Sequence, residues 1–151
     1  QEMSRGLGDV YKRQFDRHPN LKFGVIELGA SWLPSWLRFM DSGFEAFRKG
    51  EARLQALSMK PSELAERQLR VTPYCHEPTG WILRESSPDM LLFSSDFPHV
   101  EGGRNPVKRY EDNMEGIRDE ALGRFYRDNF IDLMGRGLDE SLHDHPSQQA
   151  A

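Results

Sequence analysis

From Phe15 onward the apolar positions alternate between short unbroken runs and longer stretches at helical spacing. Phe23, Val25 and Ile26, within Lys22 to Glu27, form a short β-prone run that predicts a buried strand. Gly29 then turns the chain. Ser31 is placed as an N-cap and Pro34 in the first helical turn, where a missing N–H costs little. Trp32, Leu33, Trp36, Leu37, Met40, Phe44 and Phe47 follow at helical spacing, with Gly43 as a candidate break and Glu51 to Leu57 as a candidate continuation. Pro61-Ser62-Glu63 opens a short helix that runs through Gln68. Leu69 to Thr72 predicts a second strand, stopped by Pro73. A short helix around Trp81 to Glu85 precedes a third strand, Met90 to Asp96. Pro98, Gly102 and Gly103 mark a loop, and helices follow at Val107 to Ile117 and Glu120 to Met134. The last carries Leu122, Phe125, Tyr126, Phe130, Leu133 and Met134 as an apolar stripe, and Gly135 and Gly137 end it.

Strand and helix thus alternate three times, which argues for parallel strands joined by right-handed crossovers. Three parallel strands near residues 22–27, 69–73 and 90–95 are few for a domain, because a parallel sheet needs both faces covered. The simplest resolution is that further strands precede Phe15. Val25, Val71, Leu91 and Phe93 are candidates for the face that such strands would enclose. Gln1 to Gln14 shows no period and is set aside as a non-native or disordered leader; residues 15–137 form the folding unit, and residues 138–151 a polar, disordered tail.

Bulk properties narrow the classes. The 151 residues are 37% hydrophobic, with a mean hydropathy of -0.71, so the core is thin for the length. No apolar run approaches the ~20 residues of a transmembrane helix. The single cysteine, Cys75, excludes a disulfide framework and suits a cytoplasmic location. A net charge of -4 with scattered basic residues argues against nucleic acid or an anionic membrane as partner.

If the strands are parallel, their C-terminal ends share one edge, and each end carries ionisable groups: Glu27, then Cys75-His76-Glu77, then Asp96 and His99. Asp96 ends an apolar strand, where a carboxylate can ligate a divalent ion or accept a proton from metal-bound water. It could equally accept backbone N–H groups in the turn before Pro98. Glu27 could serve as an acid/base group or hold backbone or an arginine. His99 could contact substrate or simply shape the turn after Pro98. Cys75 and His76 lack the further ligands of a zinc site. His143-Asp144-His145 lies in the polar tail with no strand to aim it.

Ser94-Ser95-Asp96-Phe97-Pro98-His99, followed by Glu101-Gly102, resembles the last-strand motif of the amidohydrolase-related family, which includes decarboxylases and lactone hydrolases. His18-Pro19-Asn20-Leu21-Lys22-Phe23 and Glu27-Leu28-Gly29-Ala30-Ser31-Trp32-Leu33-Pro34 are similar to its sixth-strand segment. Lys60-Pro61-Ser62-Glu63 and Tyr126-Arg127-Asp128-Asn129-Phe130 resemble its approach to the seventh strand and its closing helix. The resemblance implies an α/β fold, the C-terminal part of a (β/α)8 TIM barrel. It implies Asp96 as metal ligand and catalytic group, Glu27 where many members have a histidine, and His99 near substrate. The implied cofactor is a divalent metal, zinc first and manganese second. The implied partner is a small carboxylated or cyclic substrate, with a homodimer as the full-length state. The expected function is that of a fragment of a metal-dependent hydrolase or carboxy-lyase, inactive alone. The alternative is a non-catalytic α/β module that binds a partner or completes a barrel in trans.

Overall fold

The computed structural model describes residues 14–143. The leader expected at residues 1–14 falls outside them except for Gln14, as do Asp144 and His145. A helical turn at residues 14–17 leads into β1 (Phe23–Val25), which pairs in parallel with β2 (Leu69–Val71) in the register Phe23 with Leu69, Gly24 with Arg70 and Val25 with Val71. Between them lie α1 (Leu33–Phe47), α2 (Ala52–Gln55) and α3 (Pro61–Gln68). Gly43 does not break α1. Glu63 secures the start of α3 by accepting the Lys60 N–H at 2.7 Å, while proline at the first position sacrifices no hydrogen bond.

The third expected strand is reduced to one parallel bridge, Val71 with Leu91. The Val71 N–H donates to the Met90 carbonyl (2.8 Å) and the Leu92 N–H to the Val71 carbonyl (3.1 Å). The pairing then ends: the Tyr110 hydroxyl donates to Pro73 O at 2.5 Å, with Ser94 O at 3.4 Å, while on the edge away from β2 the Phe93 N–H donates to the Phe125 carbonyl at 2.8 Å. A hydroxyl wedged between two carbonyls holds the segments apart where Pro73, lacking an N–H, could not have paired anyway. The sheet therefore has two strands and a bridged third segment, all parallel.

α4 (Thr79–Glu85), α5 (Pro106–Asn113), α6 (Asp119–Gly123) and α7 (Asn129–Met134) complete the unit. The expected single helix from Glu120 to Met134 contains a π-helical turn over Arg124–Asp128. There the Asn129 N–H reaches back to the Arg124 carbonyl, while the Phe125 carbonyl accepts Phe93. Glu140–Leu142 form one 3-10 turn, with the Asp139 side chain accepting the Ser141 N–H. No helix among the described residues is long and apolar enough to cross a membrane.

The core joins Leu33 and Leu37 of α1, Leu64 of α3, Leu69 and Val71 of β2, Ile82 and Leu83 of α4, and Met90, Leu91, Tyr110 and Phe125. Val71 and Leu91, candidates for the enclosed face, are fully buried in this cluster, and Val25 and Phe93 pack against it. Val71 and Leu91 thus share a core with the buried side chains of α1, α3 and α4, while Phe93 packs against the Tyr110 and Phe125 rings. The alternate face carries Gly24 and Arg70 and is met by α7. A Cβ on Gly24 would lie 3.2 Å from Leu133, and Asp132 pairs with both Arg70 (2.5 Å) and Lys22 (2.9 Å).

Candidate active site

The strand ends deliver their polar groups to one place. Thr72 follows β2 and holds the end of β1: its N–H donates to the Val25 carbonyl (3.1 Å) and its hydroxyl accepts the Glu27 N–H (3.2 Å). The Tyr74 hydroxyl donates to the Glu27 carbonyl at 2.8 Å. Glu27 is thereby gripped through both backbone polar groups, in the left-handed region at φ 58°. Asp96 has φ 55°. Among the described residues these are the non-glycine positions of positive φ. Each such conformation costs on the order of 1–3 kcal/mol and persists where the surroundings over-determine it, often at functional sites.

The Asp96 turn is built locally. The Ser94 and Ser95 hydroxyls accept the Asp96 and Phe97 N–H groups, each at 3.3 Å. The His99 N–H donates to the Asp96 carbonyl at 2.8 Å, across a cis Phe97–Pro98 peptide. Gly102 closes the loop against this turn. A Cβ there would fall 2.1 Å from Ser95 O, so only glycine fits.

Glu27, Asp96 and His99 converge. The His99 Nδ1 lies 3.1 Å from Asp96 Oδ1 and 3.5 Å from Glu27 Oε1. One donor atom from each of the three lies within 4.8 Å of the others. Asp96 is largely buried, while Glu27 and His99 are more than half exposed. The Asp96 carboxylate meets the imidazole rather than the backbone of its turn. Its hydrogen bond to His99, then the charges of Glu27 and Asp96, raise the imidazole pKa above its ordinary value.

The backbone-holding carboxylate is Glu77. It accepts the Ala30 N–H (2.9 Å), the Ser31 N–H (2.8 Å), the Ser31 hydroxyl (2.5 Å) and the Tyr74 N–H (2.7 Å). Partial burial by itself would raise its pKa. The bonds from the Ser31 hydroxyl and from the Tyr74, Ala30 and Ser31 backbone outweigh that, and the carboxyl sits below its ordinary value. Ser31 is consequently not the N-cap of α1. That position falls to Trp32, without a side-chain cap, because the hydroxyl is committed to Glu77. The sequence marked Glu77 only as an acid at a strand end; no period or motif set it apart. Cys75 is buried with its thiol against the Gly102 carbonyl at 3.3 Å, and His76 stacks on Tyr74 with ring centroids 5.4 Å apart. Neither reaches the Glu27, Asp96 and His99 group.

A family model described as Amidohydrolase matches residues 10–135. No curated protein matches the chain. Among solved structures, it is similar to the crystal structure of an amidohydrolase from Mycobacterium avium subsp. paratuberculosis K-10, at 25% identity and a TM-score of 0.67. That match covers 87% of this chain and 34% of the other, so the chain spans about a third of the amidohydrolase it resembles.

Proposed function

Because the chain belongs to the amidohydrolase family, we propose that it supplies the last strand-end groups of a divalent-metal-dependent barrel enzyme. The reaction would be hydrolysis or decarboxylation of a small carboxylated or cyclic substrate. The observation that carries this reading is the convergence of Glu27, Asp96 and His99, with one donor atom each inside 4.8 Å. The two carboxylates supply oxygen ligands that suit zinc or manganese in a mixed site, and His99 stands beside them. The Asp96 carboxylate is not consumed by its own turn and is the ligand this chain would offer first, with Glu27 beside it.

A bound metal of this kind lowers the pKa of water and polarises a carbonyl. This chain's residues do the rest of the work assigned to them. Glu27, exposed and adjacent, exchanges a proton with the reacting group. His99, more than half exposed beside Asp96 and Glu27, is the group to meet a substrate carboxylate. The remaining ligands would come from the other strands of a complete barrel, since catalytic sites of this type use three or more protein ligands.

Calorimetric titration of zinc and of manganese into the chain tests the reading. Weak binding of one ion that disappears in Asp96→Asn is the expected result. Heats identical in the two proteins would remove Asp96 from the metal site.

A further inference from the structure

We propose that Glu77 is a positioning residue, whose carboxylate fixes the loop after β1 so that the Glu27 side chain is held against His99. The importance of that position rests on the reading of Glu27 as a site residue; the positioning itself rests on geometry alone.

Three independent donors from the β1 side and one from the β2 side meet on this one carboxylate. Ala30 and Ser31 contribute two N–H groups and a hydroxyl, and Tyr74 contributes an N–H. Residues 27–31 and 72–77 share no backbone ladder past the Thr72 N–H bond to Val25. Beyond that point, side chains join them: Thr72 and Tyr74 at the Glu27 backbone, and Glu77 at Ala30 and Ser31. The approach depends on Gly29, which has φ 63°; a Cβ there would lie 3.0 Å from Glu77 Oε1. Gly29 thus leaves room for the carboxylate as well as turning the chain.

A carboxylate is required because all its partners donate. An amide would present an NH₂ group to N–H donors and leave at least one of them unpaired. The Tyr74 backbone is anchored by Glu77, and the Tyr74 hydroxyl holds the Glu27 carbonyl. Loosening Glu77 therefore releases Glu27 from two directions: through Ala30 and Ser31 along the chain, and through Tyr74 across it.

The test compares the wild-type chain with Glu77→Gln and Glu77→Asp by NMR and manganese titration. In the wild type a nuclear Overhauser effect between the Glu27 methylenes and the His99 ring is expected, with slow exchange of the Ala30, Ser31 and Tyr74 amides. In Glu77→Gln that effect should vanish and those amides should exchange at least tenfold faster, while core amides such as Val71 and Leu91 stay protected. Glu77→Asp, which keeps the charge on a shorter stem, should restore the effect in part. Its retention in Glu77→Gln, or its absence in the wild type, would overturn the proposal. So would a fall in core protection in step with the loop, which marks general unfolding. Manganese binding separates the two readings. A wild type that shows the Overhauser effect and binds no manganese rejects the metal site and leaves the positioning role standing. Manganese bound equally by wild type and Glu77→Gln, with the Overhauser effect abolished in the variant, confines the role of Glu77 to Glu27.

Discussion

The Asn129 side-chain amide donates to the Leu91 carbonyl at 2.6 Å and to the Pro88 carbonyl at 2.7 Å, from a position that is 4% exposed. One residue of the closing helix thus satisfies both carbonyls that flank the entry to the third segment. Its backbone N–H ends the π-helical turn that frees the Phe125 carbonyl for Phe93. The segment leading to Asp96 is held from the α7 side as firmly as from β2.

Asn129→Ala should therefore destabilise the fold by about 1–3 kcal/mol, since it strands the buried Leu91 carbonyl at roughly that cost, while water can reach the part-buried Pro88 carbonyl. Asn129→Asp should cost at least as much, because an ionised carboxylate would face those carbonyls. Urea unfolding monitored by tryptophan fluorescence measures both. A change below about 0.5 kcal/mol in Asn129→Ala would mean that water replaces the amide without penalty.

How much of the fold and the site is legible in the sequence depends on the range of each interaction. The strand positions, the strand–helix alternation and the acids at the strand ends follow from local period and punctuation, so β1, β2, Glu27 and Asp96 can be located from residues 22–27, 69–73 and 90–96. The shortening of the third strand is only half legible: Pro73 removes a ladder donor locally, but the Tyr110 hydroxyl that takes up Pro73 O comes from far along the chain. Ser31 carries a good N-cap signal and loses that role to Glu77, 46 residues away. Period-two alternation separates Val25 and Val71 from Gly24 and Arg70, but it does not say which set joins the α1, α3 and α4 core and which meets α7. The π-helical turn has no local signature: Leu122, Tyr126, Phe130 and Leu133 keep a helical stripe through it.

Asp132 carries a second, polar tie between α7 and the sheet. Arg70 is nearly buried, and besides Asp132 its guanidinium donates to the Glu66 and Leu69 carbonyls. Asp132 is 39% exposed, so solvent screens the pair and the full cost of breaking a buried ion pair does not apply. Asp132→Ala should destabilise by about 1–2 kcal/mol, and less in high salt. Arg70→Met, which removes the buried charge along with its partner's attraction, should cost no more than Asp132→Ala. Denaturant midpoints for the two variants check this order; the reverse order would show that the arginine stem, rather than the charge, holds α7.

The His99 environment fixes the sign of one pH effect. Its folded pKa is raised, first by the hydrogen bond to Asp96 and then by the charges of Glu27 and Asp96. A raised imidazole pKa contributes stability that is fully present below the unfolded value and is lost as pH rises through the folded one. NMR titration of the His99 ring should give a midpoint above the ordinary imidazole value. Asp96→Asn should bring it down further than Glu27→Gln does. An equal or larger effect of Glu27→Gln would show that the 3.5 Å approach of Glu27, rather than the 3.1 Å hydrogen bond, governs the ring.

Gly102 gives the sharpest test of how the Asp96 turn is held. Its Cα sits so close to the turn that an added Cβ would fall 2.1 Å from Ser95 O and 3.2 Å from both the Asp96 carbonyl carbon and Cβ. The obstacle is backbone, so no rotamer change relieves it. The loop from Val100 to Gly103 must move away, and with it the Glu101 and Gly102 carbonyls that lie against the Cys75 thiol. Overpacking of this kind costs about 1–3 kcal/mol. Because His99 is joined to Asp96 through the same turn, the displacement should also weaken the hydrogen bond between His99 and Asp96. Gly102→Ala should lower the thermal midpoint and shift the His99 titration toward its ordinary value. Gly116→Ala, where an added Cβ meets nothing within 4 Å, is the matched control: its φ of 76° gives it a strain cost of its own, but it should leave His99 unmoved. A Gly102→Ala protein with an unchanged His99 titration would show that the Asp96 turn keeps its geometry without the loop packed against it.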